Sequence, residues 1–272
     1  MLLDYFKNLK ELKFKFLDYK QIKSQFKLHF NSELNNNPEL KFLLYEIFVY
    51  GSAYIIGGYF RDFLISKKSR DLDIIIDLEN TKLIEIIGQS NCQYSINRHK
   101  GIKLQFNNLV VDMWSIENNW AFKNELVKLN EKDKLNSIAK GCFYNYDSLV
   151  INLHTYNLNI QNYNAYIDNK KLDILLKSPI YKNLNPTTEA NILRAFYLKK
   201  KEQIQFSTNT KKYLIDKIGQ LKDNGFDPIE ILEETKSKYP KYQNQLNKNE
   251  ISKMISELYS ANEFDNQFYL NF

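Results

Sequence analysis

The sequence predicts an α+β domain followed by an all-α one, and three observations carry that expectation. Short β-branched runs alternate with helix-like patterns over roughly the first 150 residues. A pair of asparagines, Asn107 and Asn108, joins two strand-length runs. From Pro186 onward only long, lysine-rich helical patterns follow.

Each element has its own local reason. The opening FKNLKELKFKFLDYKQIKSQFKLHF repeats apolar residues at three- and four-residue steps with lysines between, the pattern of an amphipathic helix. NSELNNNPEL interrupts it, because asparagine and proline break helices. ELKFLLYEIFVYG reads as a helix stopped at Gly51, then a strand at Ala53–Ile56 and a turn at Gly57 and Gly58. YFRDFLIS is short and helical, KKSR a basic loop, DLDIIID a strand and KLIEIIGQ a helix. NRHKG, Asn97 to Gly101, reads as a basic turn. IKLQF and LVVDMWSI flank the asparagine pair as a hairpin, since asparagine tolerates positive φ. TTEANILRAFYLKKKEQ, NTKKYLIDKIGQLKDN and DPIEILEETKSKY are the later helices. The boundary falls near residues 170–186, giving expected domains of 1–175 and 176–272.

Composition narrows the class. The 272 residues contain no window approaching the ~18–20 apolar residues of a membrane span, and the start MLLDYFKNLKELKF is too charged for a secretory signal. A soluble, cytoplasmic protein without membrane contact is expected. Cys92 and Cys142 lack metal-ligand spacing, and His29, His99 and His154 are scattered, so zinc is not expected. A net charge of +6 with 14% aromatic residues suits a polyanionic partner. Lysine-dense Lys199 to Lys222 reads mainly as a solvated helix face, and Trp114, Trp120, Phe196 and Tyr197 as core.

The chemistry concentrates in YIIGGYFRDFLISKKSRDLDIIID. Asp71 and Asp73 stand one residue apart at the head of a strand, so both project from one face. Two neighbouring carboxylates repel unless a cation sits between them, and Mg²⁺ prefers such oxygen ligands. Asp112, an acid on an otherwise apolar strand, is the natural third ligand. This triad suits two-metal phosphoryl transfer, with two Mg²⁺ ions serving the attacking hydroxyl and the departing pyrophosphate. Gly57 and Gly58 let backbone N–H groups approach phosphate oxygens, and Arg61 and Arg70 could grip a triphosphate. A lone GG is usually a turn and a lone DxD a surface pair; their order and spacing together are far more specific.

IIGGYFRDFLISKKSRDLDIII resembles the signature GGxxRDxLLGxxxxDxDhhh of the head domain of class II CCA-adding enzymes and bacterial poly(A) polymerases, in the polymerase β nucleotidyltransferase superfamily. The resemblance implies a nucleotidyltransferase head with a mixed sheet and an all-α neck. It implies Asp71 and Asp73 as catalytic metal ligands and Gly57, Gly58 and Arg61 as triphosphate contacts. The family's RRDFTINA motif falls on DKLNSIAKGCFYN, where Ser137 and Ile138 fit and the RRD triplet is replaced. Its EDxxRxLRAxRF motif overlies TTEANILRAFYL, which keeps Leu193, Arg194 and Ala195 but has Thr187, Thr188 and Asn191 at the ED and R positions. Arg194 is the implied contact to base or sugar. The chain ends where the family's body and tail would begin, so no full tRNA clamp is expected.

The expected activity is Mg²⁺-dependent, template-independent addition of a nucleotide from an NTP or dNTP to a hydroxyl, on an RNA 3′ end or short oligonucleotide. Defence-type synthesis of oligonucleotide signals, possible from a protein hydroxyl such as Tyr269, is an alternative. A catalytically inactive nucleic-acid-binding module is another. The aromatic tail SANEFDNQFYLNF could seat a protein partner.

Overall fold

A computed structural model describes residues 18–69, 71–97, 99–176 and 187–269, with no side-chain description beyond 260. These residues divide into two compact units, one up to Ala165 and one from Tyr166. The first 12 residues of the expected amphipathic segment, positions 6–17, lie outside them. No helix among the described residues is long and apolar enough to cross a membrane.

In the first unit, a helix at Tyr19–Asn36 starts from Asp18, whose carboxylate accepts the Gln21 N–H while the Gln21 side chain accepts the Asp18 N–H. The helix runs through NSELNN, farther than its asparagines suggest. Its face of Ile22, Phe26, Phe30 and Leu34 is buried, and that packing outweighs weak local propensity. Only Asn37 separates it from the next helix, Pro38–Tyr50, which opens on proline. Gly51 ends that helix with extended backbone, φ −166°. Its role is space, since a Cβ there would run into the Asp77 carbonyl oxygen and the Leu78 side chain.

Seven strands then form one mixed sheet. They are β1 (Ser52–Ile56), β2 (Asp71–Asp77), β3 (Tyr94–Ile96), β4 (Ile102–Phe106), β5 (Leu109–Ser115), β6 (Val150–Asn152) and β7 (Leu158–Asn159). Their order across the sheet is β3-β4-β5-β2-β1-β6-β7. Only β2 and β5 run parallel. Phe106 faces Leu109 across the Asn107–Asn108 turn, the hairpin expected from the asparagines. Asn97 Oδ1 accepts the backbone N–H groups of His99 and Gly101, so NRHKG is a side-chain-braced turn.

One sheet face is mainly apolar, with Ala53 and Ile55, Leu72, Ile74 and Ile76, and Val111 and Met113 all buried. The other face is divided. Tyr54, Ile75 and Val150 pack there with Ile138 and Ala139 of the helix Lys134–Lys140. Farther along, the alternation brings Asp71, Asp73 and Asp112 up half-buried. Trp114 lies on this second face, not in the core, with its indole nitrogen against Gly101.

The second unit holds helices at Thr188–Glu202, Thr208–Asp223, Pro228–Ser237, Pro240–Gln243 and Lys248–Tyr269. It is not purely helical. β8 (Lys171–Leu172) pairs in parallel with β9 (Gln205–Phe206), a ribbon too short for alternation to register in the sequence. Phe196 is fully buried, as expected. In the lysine-dense segment, Lys199 pairs with Glu257 at 2.7 Å and Lys200 with Glu250.

Candidate active site

Strand register assembles the acidic site. Asp71 and Asp73 are two residues apart on β2, hence on one face, and Asp73 lies directly opposite Asp112 on β5. Neighbouring strands are ~5 Å apart, so the two backbones hold these carboxylates side by side. On the far side of β5, Lys103 of β4 faces Asp112, its Nζ 3.9 Å from Asp112 Oδ1. Burial pushes the Asp112 carboxyl up from its ordinary value; the Asp71 charge pushes it further and Lys103 opposes both. Among the described residues no group of three or more His, Cys, Asp or Glu side chains forms a metal cage. The aspartates share a face and a register without closing around a point.

The glycine turn sits at the other edge of β2. Ile56, the last residue of β1, pairs with Asp73, so the chain leaves β1 beside the carboxylates. Gly57 turns with φ +66°, a conformation only glycine adopts without strain, and its N–H donates to the Leu149 carbonyl at 2.9 Å. The helix Gly58–Leu64 follows. It is anchored by aromatics: Phe60 and Phe63 meet Phe26 edge-on at 4.9 and 5.1 Å between centroids, and the Tyr59 hydroxyl lies 3.3 Å from His29 Nε2. Burial, with a smaller contribution from Glu33, pushes the Tyr59 phenol up.

Arg61 does not reach outward as an unattached arm. Its Nη1 donates to Asp147 Oδ1 at 3.1 Å and lies 3.5 Å from the Tyr146 carbonyl oxygen. Its guanidinium carbon sits 4.1 Å from the centroid of the Tyr146 ring. Nη2 faces the glycine turn, 3.6 Å from where a Cβ on Gly58 would be. Burial opposes the charge, and the Tyr146 and Asp147 neighbours outweigh it and hold the guanidinium above its ordinary value.

The structure therefore brings Gly57, Gly58, Asp71, Asp73 and Asp112 to adjacent strands, with Arg61 on the helix that leaves the turn. Arg70 lies outside the described residues, and the side chain of Tyr269, at the end of the last helix, is likewise not described. Arg194 is on the helix Thr188–Glu202 of the second unit. On that helix Asn191 is 1% exposed and donates to the Thr187 carbonyl, while Thr187 caps the helix through Ala190 N–H. These two substituted motif positions are thus occupied by helix-start chemistry. Sequence reasoning missed Lys103, Tyr146 and Asp147. One signal was present for Asp147: in FYNYDSLV it is an acid in an apolar stretch, the same ground on which Asp112 stood out.

Residues 53–138 match the family model described as the Poly A polymerase head domain. The sequence matches no curated protein. Among solved structures, one of a CCA-adding enzyme with ATP superposes with a TM-score of 0.54 at 13% identity, over 82% of this chain and 52% of that one. The Thermotoga maritima CCA-adding enzyme complexed with tRNA gives 0.53 at 13% identity, over 77% and 47%. A tRNA-processing enzyme complex gives 0.51 at 16%, over 76% and 53%. The chain spans about half the length of these proteins, and at such identities the likeness concerns the fold. The glycine turn, β2 and β5 all fall inside the segment that matches the head-domain model.

Proposed function

We propose that this protein is a Mg²⁺-dependent, template-independent nucleotidyltransferase, adding a nucleotide from an NTP or dNTP to a hydroxyl acceptor and releasing pyrophosphate. The observation that carries this reading is the register that sets Asp73 between Ile56, next to the glycine turn, and Asp112. An anion-accepting turn and a cation-accepting carboxylate set on neighbouring strands are the two halves that phosphoryl transfer needs.

Asp71, Asp73 and Asp112 are the residues that would hold the ions, two by analogy with two-metal chemistry. The donor chemistry supports this reading, although the three side chains do not converge on one point: the carboxylates share a half-buried face, and the Asp112 carboxyl is raised partly by Asp71, a repulsion that a divalent cation would relieve. Bound Mg²⁺ supplies charge neutralisation at the phosphates and activation of the attacking hydroxyl. The chain's own contribution is orientation. Gly57 and Gly58 keep side chains away from the phosphate oxygens, and Arg61 offers a fixed cation beside them. Asp112, on the strand edge nearest Lys103, stands beside the acceptor hydroxyl.

In this reading residues 1–175 are the head, 176–272 the neck, Arg194 faces base or sugar, and Arg70 joins Arg61 on the triphosphate. The acceptor is an RNA 3′ end or short oligonucleotide; that solved relatives are complexes with ATP, CTP and tRNA supports this class. The test is incubation of the purified protein with Mg²⁺ and each labelled NTP and dNTP, with and without tRNA, beside Asp71→Ala and Asp73→Ala. Label on RNA from wild type alone is expected, whereas label on no product in any wild-type lane overturns the proposal.

A further inference from the structure

Resting on the reading of the Gly57–Gly58 turn as the triphosphate site, we propose that Asp147 and Tyr146 are positioning residues that aim Arg61 at that turn. An arginine at a helix surface has several rotatable bonds and loses about 2 kcal/mol of rotamer entropy when a ligand immobilises it. Here the immobilisation is already in place. The face of the Tyr146 ring sets the plane of the guanidinium, 4.1 Å away, and Asp147 Oδ1, 3.1 Å from Nη1, sets its rotation within that plane. With Nη1 held, the fork geometry leaves Nη2 on the side of Gly58. The whole group is sheltered, with 15% of the Arg61 and 18% of the Asp147 side chain exposed, so water competes weakly for the pair.

The loop has an independent fastening to the turn. Gly57 N–H donates to the Leu149 carbonyl, and the Cys142 thiol lies 3.4 Å from the Asp147 carbonyl oxygen. Neither contact uses the Asp147 carboxylate. A carboxylate needed only to fasten the loop would therefore be partly redundant, whereas one that aims Arg61 has no substitute among these contacts. Asp147→Ala is thus expected to act on triphosphate affinity first and on folding second.

The experiment compares wild type with Asp147→Ala, Asp147→Asn, Arg61→Ala and the Arg61→Ala/Asp147→Ala double variant. It reads KM and kcat for ATP and CTP with Mg²⁺ and tRNA, equilibrium ATP binding, and melting temperature. Losing a charge-assisted hydrogen bond corresponds to roughly 10-fold or more in affinity, so Asp147→Ala should raise KM about 10-fold while kcat changes less than about 3-fold. Asp147→Asn keeps an oxygen acceptor and should recover most of that loss. The double variant should bind triphosphate no worse than Arg61→Ala, because in this inference Asp147 reaches the triphosphate through Arg61. An unchanged KM in Asp147→Ala, or single effects that multiply in the double variant, overturns the inference. So does an Asp147→Asn protein as impaired in KM as Asp147→Ala. If Asp147→Ala fails to fold, Asp147→Asn and Tyr146→Leu carry the test, with a raised KM in Tyr146→Leu expected and unchanged KM in both overturning it. A wild type that neither binds ATP with Mg²⁺ nor transfers nucleotide overturns the functional reading and this inference together. A wild type that does both beside an Asp147→Ala protein of equal KM overturns the inference alone.

Discussion

The two edges of β2 are built on opposite electrostatic plans. At the β1 edge, the cation Arg61 is matched within the fold by Asp147 and the Tyr146 ring, and its helix is pinned by Phe26. At the β5 edge, Asp112 faces Asp73 across the register, feels the charge of Asp71, and has Lys103 only at 3.9 Å. The first half is preformed; the second carries like charge on adjacent strands. A site that accepts an anion and a cation together gains from this asymmetry, because a rigid arginine limits the entropy lost on binding while crowded carboxylates reserve their best interactions for a divalent ion.

If the carboxylate edge is functional, its loss has the largest effect. Asp73→Ala or Asp71→Ala should reduce nucleotide transfer by about 10³-fold or more in a labelled-NTP gel assay, with little change in melting temperature. Equal activity would remove the carboxylates from the chemistry. At the preformed edge, Gly57→Ala forces φ +66° on a residue with a Cβ, which costs about 1–2 kcal/mol. A melting temperature lowered by roughly 2–8 °C is expected in calorimetry, and a fold unmoved by this change would mean the turn is not held as tightly as described.

Asp112→Asn should separate function from stability. It should lower activity while raising the melting temperature of the metal-free protein by roughly 1–2 °C at neutral pH, since burial and Asp71 disfavour the ionised group. The pH dependence follows from the raised carboxyl. A group that holds its proton more tightly in the fold than in the unfolded chain favours folding fully below the ordinary value of 3.8. That advantage is lost as pH rises through the folded value. The stability gap between wild type and Asp112→Asn should therefore be widest near neutrality and close toward pH ~4, while the Mg²⁺ concentration for half-maximal activity rises as pH falls. Lys103→Met should have the smallest effect. Removing a half-exposed lysine near the carboxylates should lower the half-maximal Mg²⁺ concentration about 2-fold, in line with the weak worth of exposed ion pairs.

Much of this was legible locally. The glycine pair, the Arg61 helix and the β2 aspartates lie within 24 consecutive residues, Tyr54 to Asp77, and turn chemistry and period-2 alternation placed them on their elements. The Asn107–Asn108 hairpin put Asp112 on a strand, although no pattern in the sequence says that β5 lies parallel to β2 with Asp112 opposite Asp73. The extent of the first helix was misjudged at NSELNN, where the burial of Leu34 decided the outcome. Trp114 was expected in the core, and the alternation of β5 places it on the carboxylate face.

The sequence alone determined which residue types occupy the turn, the strand heads and the caps, because those choices depend on φ preferences and side-chain period within a few neighbours. Only the tertiary structure decided which charges meet. Arg61 and Asp147 are 86 residues apart, and Asp73 meets Asp112 through the pairing of non-sequential strands. Such partners are fixed by sheet order and loop packing, which come from burying apolar faces across the whole unit, and short-range pattern carries no record of them.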